Sequence, residues 1–167
     1  MANNIVNPVV VKAVWDIGAS GTLATNKSYA PGTNTNSDSG YVEGYSVIIP
    51  EGALITRAWT YCETAITDDG DNSTTLALGY TGATGAFIAA VACNTVQYAA
   101  GIGTTLVENY ALDGGALTAL NMGIARDATL LHTTADVELL LTLNNDHAID
   151  AGKLTLFVEY VQTGKIA

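Results

Sequence analysis

The feature that most constrains the fold is a strict alternation of apolar and polar side chains near the C-terminus. Within residues 136–144, apolar side chains take every second position, and within residues 153–160 a second set does the same. Successive side chains of a β-strand point to opposite faces, whereas a helix repeats every 3.6 residues. The pattern therefore predicts two strands that each turn one face to a core; the inward residues are Val137, Leu139, Leu141, Leu143, Leu154, Leu156, Val158 and Tyr160.

Strand-like composition, rich in β-branched and aromatic residues, recurs upstream. It marks four further segments, Val9–Ile17, Tyr41–Ile49, Leu54–Ile66 and Thr74–Tyr80. Because an acidic, Gly-containing turn separates the last two segments, we expect them to pair as an antiparallel hairpin. Ala86–Ala92 is rich in alanine and places Phe87 and Val91 four residues apart, which predicts a short helix of two turns.

Two segments are less regular. Residues 18–40 consist mainly of small hydroxyl and amide side chains, which predicts a long surface loop containing at most a short strand. The composition of residues 94–128, with several glycines and little periodicity, predicts loops with short strands. Together the segments give about eight strands and one or two short helices, with turn signals every ten or so residues. We therefore expect an all-β, single-domain, jelly-roll-like β-sandwich over residues 9–167, preceded by an N-terminal arm at residues 1–8.

The charge balance argues against several classes of partner. The chain carries 16 Asp and Glu against 6 Lys and Arg, a net charge of −10. Phosphate backbones and anionic lipid surfaces repel such a chain, so neither nucleic acid nor membrane is an expected partner. The longest apolar run, Ala86–Cys93, is far shorter than the roughly 20 residues that span a bilayer. Cys62 and Cys93 lack the spacing of a metal site; we expect two reduced, buried thiols, with a single disulfide as the alternative.

Few residues suggest chemistry. Asp68, Asp69 and Asp71 could hold a calcium ion, or could form a solvated hairpin tip that discourages edge pairing. His132 and His147, the two imidazoles, lack the companions that a zinc site or catalytic triad needs. No cofactor or metal is predicted.

Carboxylates and aromatic residues each leave two interpretations. Three glutamates within predicted strands could form a hydrolytic pair, although they alternate with apolar residues as on any outward sheet face; they are Glu63, Glu138 and Glu159. Trp15, Trp59 and the eight tyrosines could line a sugar-binding surface, but we favour the core or a subunit interface. The chain is therefore not expected to be an enzyme.

Three segments resemble small virion proteins of tailed bacteriophages. The order Ile49-Pro50-Glu51-Gly52-Ala53-Leu54-Ile55-Thr56-Arg57-Ala58-Trp59 resembles the "IPxGA.I..A" start of one of their strands. Thr75-Leu76-Ala77-Leu78-Gly79 is similar to their "T.ALG" strand, and residues 148–160 are similar to their closing "LTAGK..LFVEY" strand. The similarity covers about residues 45–93 and 128–162 and leaves the N-terminal third unmatched.

This resemblance implies a non-enzymatic jelly-roll protein of the phage particle. The role that fits best is a capsid cement or decoration protein, a homotrimer that bridges major capsid proteins on the outside of the head after synthesis in the host cytoplasm. A tail, fibre or baseplate module that binds the host surface is the alternative, and a cellular carbohydrate-binding module is a third possibility. The expected partner-binding arm consists of Ala2, Asn3, Asn4, Ile5, Val6 and Asn7.

Overall fold

A computed structural model of the chain describes residues 7–17, 27–31, 34–35, 40–43, 47–71, 73–95, 98–108, 132–144 and 147–162. These residues form eleven strands. In chain order the strands are β1 (Val9–Ile17), β2 (Lys27–Tyr29), β3 (Asn34–Thr35), β4 (Gly40–Glu43), β5 (Ile48–Ile49), β6 (Ala53–Asp68), β7 (Thr75–Tyr80), β8 (Ala83–Ala92), β9 (Ile102–Glu108), β10 (Val137–Asn144) and β11 (Ile149–Gln162). No described helix is long and apolar enough to cross a membrane.

The strand order has the topology of a jelly roll. One sheet runs β3-β4-β1-β11-β6-β9 and the other β2-β10-β7-β8, with β5 added beside β10. β3, β4 and β5 are additions to the edges of this arrangement. Of the other eight strands, the first, last, third and sixth form one sheet, and the second, seventh, fourth and fifth form the other. All of these pairings are antiparallel, as in a jelly roll built from two Greek keys. The predicted all-β, jelly-roll-like sandwich is therefore confirmed.

The core lies between the two sheets and follows the predicted alternation. In β10 the odd-numbered residues from Val137 to Leu143 are buried, and in β11 the even-numbered residues from Leu154 to Tyr160 are buried. β1 contributes Trp15, which is fully buried and donates a hydrogen bond from Nε1 to the carbonyl oxygen of Tyr29 in β2, 2.8 Å away. Since β1 and β2 belong to different sheets, this bond ties the two layers together.

The predicted helix over Ala86–Ala92 is wrong, because these residues lie within β8 and pair with β7. Pairing to a neighbouring strand overrides the helical propensity of alanine. β8 carries extra residues at two places, because Leu76 and Leu78 face Val91 and Ile88, and Leu78 and Tyr80 face Ile88 and Ala83. Such a bulge disrupts period-two alternation. No α-helix is present in the part of the chain that the structure describes.

The predicted hairpin of residues 54–66 and 74–80 is also wrong. β6 belongs to the six-stranded sheet and β7 to the five-stranded sheet, so the acidic connection crosses between layers. The true hairpin joins β7 to β8 through Thr81 and Gly82, whose φ of 91° is open to glycine at little cost. The predicted strand Tyr41–Ile49 corresponds to two strands in different sheets, β4 and β5. The predicted long loop contains the short strand β2.

Candidate interaction surface

The outer face of the six-stranded sheet carries the most distinctive described surface. Its residues take every second position in a stretch of seven residues in each of β1, β11 and β6. Their side chains project away from the core and alternate with side chains that point inward. We call this surface the outer face; it comprises Val10, Lys12, Val14, Asp16, Lys153, Thr155, Phe157, Glu159, Arg57, Trp59, Tyr61 and Glu63.

An aromatic pair lies at the centre of the outer face. Phe157 and Trp59 are direct partners on neighbouring strands, and their rings stack with centroids 5.3 Å apart and an interplanar angle of 9°. The Cζ atom of Arg57 lies 4.9 Å from the centroid of the Trp59 ring, within cation–π range. Because the two rings stack on each other, their ring faces are turned toward each other. One face of each ring, on which a sugar could otherwise stack, is thus already contacted from within the chain.

Exposed apolar groups flank this pair. Tyr61 is 44% exposed and Val10 is 51% exposed. Arg57, Trp59 and Tyr61 occupy alternate positions of one strand and therefore project from the same face. Trp, Tyr and Arg are the residue types most enriched at the energetic centres of protein–protein interfaces. These three residues thus give one strand of the outer face the residue types that are frequent in protein–protein interfaces.

One ion-pair network lies within the outer face. Lys153 Nζ lies 3.3 Å from Asp16 Oδ2 and 3.3 Å from Glu63 Oε2, so one ammonium group connects three strands. Its hydrogen bonds to Glu63 and Asp16 raise the pKa of Lys153. Glu159 accepts a 2.7 Å hydrogen bond from Thr56 Oγ1 and lies directly opposite Arg57 in the strand register. The outer face holds three of the six basic residues and three of the sixteen acidic ones, so its net charge is zero.

The predicted partner-binding arm falls mostly outside the described residues. Of its six residues, Ala2, Asn3, Asn4, Ile5 and Val6 lie outside them, and Asn7 is exposed just before β1. The structure therefore leaves the arm a prediction.

Carboxylates of the acidic connection between β6 and β7 accept hydrogen bonds from backbone amides. Asp68 is 6% exposed, and its carboxylate accepts hydrogen bonds from the amides of Gly70 (3.0 Å) and Thr74 (2.9 Å). Asp71 accepts a bond from the Ser73 amide at 3.1 Å, and hydrogen bonding to Ser73 lowers the pKa of Asp71. The interpretation as a solvated hairpin tip fails for Asp68, which is buried between the layers.

The remaining candidate residues do not converge on one site. Within the described ranges, no group of three or more His, Cys, Asp and Glu side chains is placed to hold a metal ion. His147 packs against Gly70 and lies 3.6 Å from Asp69 at the acidic connection. His132 lies beside Leu54, in an isolated bridge to β6.

The three glutamates are also separated. Glu138 belongs to the other sheet, whereas Glu63 and Glu159 lie on the outer face. Six residues of strand, or roughly 20 Å at ~3.3 Å per residue, separate the rows of Glu63 and Glu159. Glycosidase carboxyl pairs are about 5–10 Å apart. These glutamates therefore do not form a hydrolytic pair.

A cavity of about 240 Å³ lies at the end of the sandwich, lined by Glu51, Gly52, His132, Thr133 and Thr134. Its polar lining serves the fold, because Thr133 Oγ1 donates to the Pro50 carbonyl at 2.6 Å and accepts from the Ala53 amide at 2.9 Å. The cavity is smaller than usual sites for drug-sized ligands.

The two cysteines are buried and are not joined by a disulfide, as predicted. Cys62 Sγ donates to the carbonyl oxygens of Thr64 and Tyr98, each at 3.1 Å. Burial, reinforced by the negative charge of Asp68, raises the pKa of Cys93 to about 11. Such thiols are poor nucleophiles at neutral pH.

No protein-family model matches the sequence, and no curated protein matches it. Solved structures do match the fold. A chain of the cyanophage Pam1 capsid asymmetric unit aligns with a TM-score of 0.52 and 13% identity, over 96% of this chain and 89% of that one. A chain of the acid-stable capsid of Helicobacter pylori bacteriophage KHP30 aligns with a TM-score of 0.53 and 12% identity, over 96% of this chain and 92% of that one. A chain of the Ralstonia phage GP4 capsid aligns with a TM-score of 0.53 and 11% identity, over 99% of this chain and 91% of that one. The chain therefore shares its jelly-roll fold, over nearly its whole length, with proteins of three phage capsids.

Proposed function

We propose that this protein is a structural component of a phage virion and acts as a cement or decoration protein on the outside of the head. The observation that carries the proposal is the fold likeness to chains of three phage capsids, which extends over 96–99% of this chain. The sequence resemblance in residues 45–93 and 128–162 supports it independently. In this role the protein works by binding and performs no catalysis.

The mechanism follows from multivalent contact. Each copy bridges neighbouring major capsid proteins and adds buried surface that opposes the outward pressure of the packaged genome. Many copies act on one shell, so a modest contact per copy is sufficient. The net charge of −10 suits an external position, away from the nucleic acid. Buried free thiols suit synthesis in the reducing cytoplasm of the host.

We propose two parts with different tasks. Residues 9–167 form the sandwich, and residues 1–8 form an arm whose segment Ala2–Asn7 reaches a neighbouring subunit. The arm lacks charged side chains and contains Ile5 and Val6, which can be buried against a partner. We further propose that three copies assemble into a homotrimer, which triples the number of contacts per docking event.

The decisive experiment adds purified protein to phage heads that lack it. We expect saturable binding on the head exterior in electron micrographs and a higher temperature of genome release. A variant without residues 2–7 is the matched control and should bind more weakly while its sandwich still folds. Absence of binding to heads would refute the cement role, and binding to intact host cells instead would indicate a tail, fibre or baseplate module.

A further inference from the structure

The outer face differs electrostatically from the chain as a whole. The chain carries a net charge of −10, and two copies that approach each other at random are repelled. The outer face carries three positive and three negative side chains, and the ion pairs of Lys153 with Asp16 and Glu63 are formed within it. A second copy can therefore cover this face without leaving these ionic groups unpaired.

The arrangement of the outer face is also self-complementary. The stacked pair Trp59–Phe157 lies in the middle. At one end Arg57 lies opposite Glu159, and at the other end Lys153 lies between Asp16 and Glu63. A two-fold axis through the middle brings the aromatic centres of the two copies together. It also places the Arg57–Glu159 end of each copy over the Lys153 end of the other, and each end carries positive and negative side chains. Self-complementary patches of this kind are what a two-fold contact requires.

We propose that the outer face of one copy packs against the same face of a second copy across a two-fold axis. Ring stacking within the chain disfavours a sugar, as described above, and the Arg–Trp–Tyr composition favours a protein surface. This inference goes beyond the proposed function, because the contact forms between copies of the chain without a capsid.

The size of the outer face sets the strength of the contact. Three strands at ~4.8 Å spacing and seven residues at ~3.3 Å rise cover about 300–350 Å² per copy. A stable interface buries about 800 Å² per partner, so this contact is weak. We expect a dissociation constant on the order of 100 µM. On a shell, where neighbouring copies are held close together, such a contact is populated.

The test is sedimentation velocity of the full chain from about 10 µM to about 1 mM. We expect the mass of wild-type protein to rise with concentration as outer faces pair. Tyr61→Glu places a negative charge at an exposed position of both faces and should weaken association at least tenfold. Thr84→Glu adds the same charge at an exposed position of β8, in the other sheet, and should change association less than twofold.

A second variant guards against misfolding. Val10→Ser removes an exposed apolar group without adding charge and should weaken association about fivefold, with an unchanged circular dichroism spectrum. Wild-type protein of constant mass up to 1 mM overturns the inference, and so does an equal effect of Thr84→Glu and Tyr61→Glu. If Tyr61→Glu abolishes binding to heads but leaves self-association intact, the face docks on the shell; the inference then fails while the proposed function stands.

Discussion

Asp68 should be the most important carboxylate for stability, and Asp68→Ala tests this. The Asp68 carboxylate accepts the amide of Thr74, a residue with no exposed surface, and the amide of Gly70 at the crossing between the sheets. Alanine leaves the buried Thr74 amide without this acceptor, which costs about 1–3 kcal/mol, and removes the second, more exposed bond. We expect a total loss of about 3 kcal/mol in the free energy of unfolding.

Urea unfolding followed by tryptophan fluorescence measures this loss. With a slope of about 2 kcal/mol per molar urea, 3 kcal/mol lowers the midpoint by about 1.5 M. Asp68→Asn keeps one acceptor oxygen and should lose about half as much. Asp71→Ala is the matched control, since Asp71 is exposed and its hydrogen bonds to Ser73 lie at the surface, so its loss should be distinctly smaller.

Two results would refute this reasoning. Equal losses for Asp68→Ala and Asp71→Ala would mean that burial of the acceptor has no consequence. A calcium-dependent gain in stability that wild-type protein shows and Asp68→Ala lacks would mean that the carboxylate serves a cation instead of the backbone.

Three further predictions concern the core and the strands. Gly79→Ala should cost about 1–3 kcal/mol, because its Cβ would lie 2.1 Å from the Ala83 carbonyl oxygen, whereas Gly85→Ala, with its nearest atom at 3.6 Å, should be neutral or stabilising in thermal melts. Leu141→Ala, at a fully buried position, should cost about 2–5 kcal/mol in urea unfolding. Burial raises the pKa of Cys93 from 9.0 to about 11, so the folded state keeps this proton longer than the unfolded state. Its contribution to stability is complete below pH 9 and is lost as the pH rises through about 11, and Cys93→Ala should remove that part of the alkaline decline.

The regular strands could be predicted because apolar residues occupy every second position and thereby identify the face that is turned to the core. In β10 and in residues 153–160 of β11 the inward residues are large and apolar and the outward ones are mostly polar, so period two is unmistakable. β8 defeats the same reasoning, because its register against β7 shifts on both sides of Ile88, and the consecutive residues Phe87 and Ile88 both lie in the core. A bulge leaves no reliable mark in a single sequence, and the spacing of Phe87 and Val91 then imitates a helix.

The partners of the strands were harder to predict than the strands themselves. A turn between two strands has the same composition whether the chain folds back in one sheet or crosses to another. What distinguishes the two cases here is the burial of Asp68, which depends on both sheets.

The outer face was missed for a related reason. In β6 the inward residues include the small Ala58 and Cys62, while Trp59 and Tyr61 project outward. Hydrophobicity alone assigns the aromatic residues to the core. The alternation of Arg57, Trp59 and Tyr61 is visible in the sequence, but the sequence does not show which side of the strand faces the core.

The place of β11 in the sheet has a consequence for biosynthesis. β11 lies between β1 and β6 and pairs with both along most of its length. β11 follows both of its partners in chain order, so β1 and β6 lack the strand that joins them until β11 has been synthesised. Non-local pairing of this kind slows folding and leaves strand edges open to other chains. A truncation that removes β11 would thus remove the middle of the sheet rather than its edge.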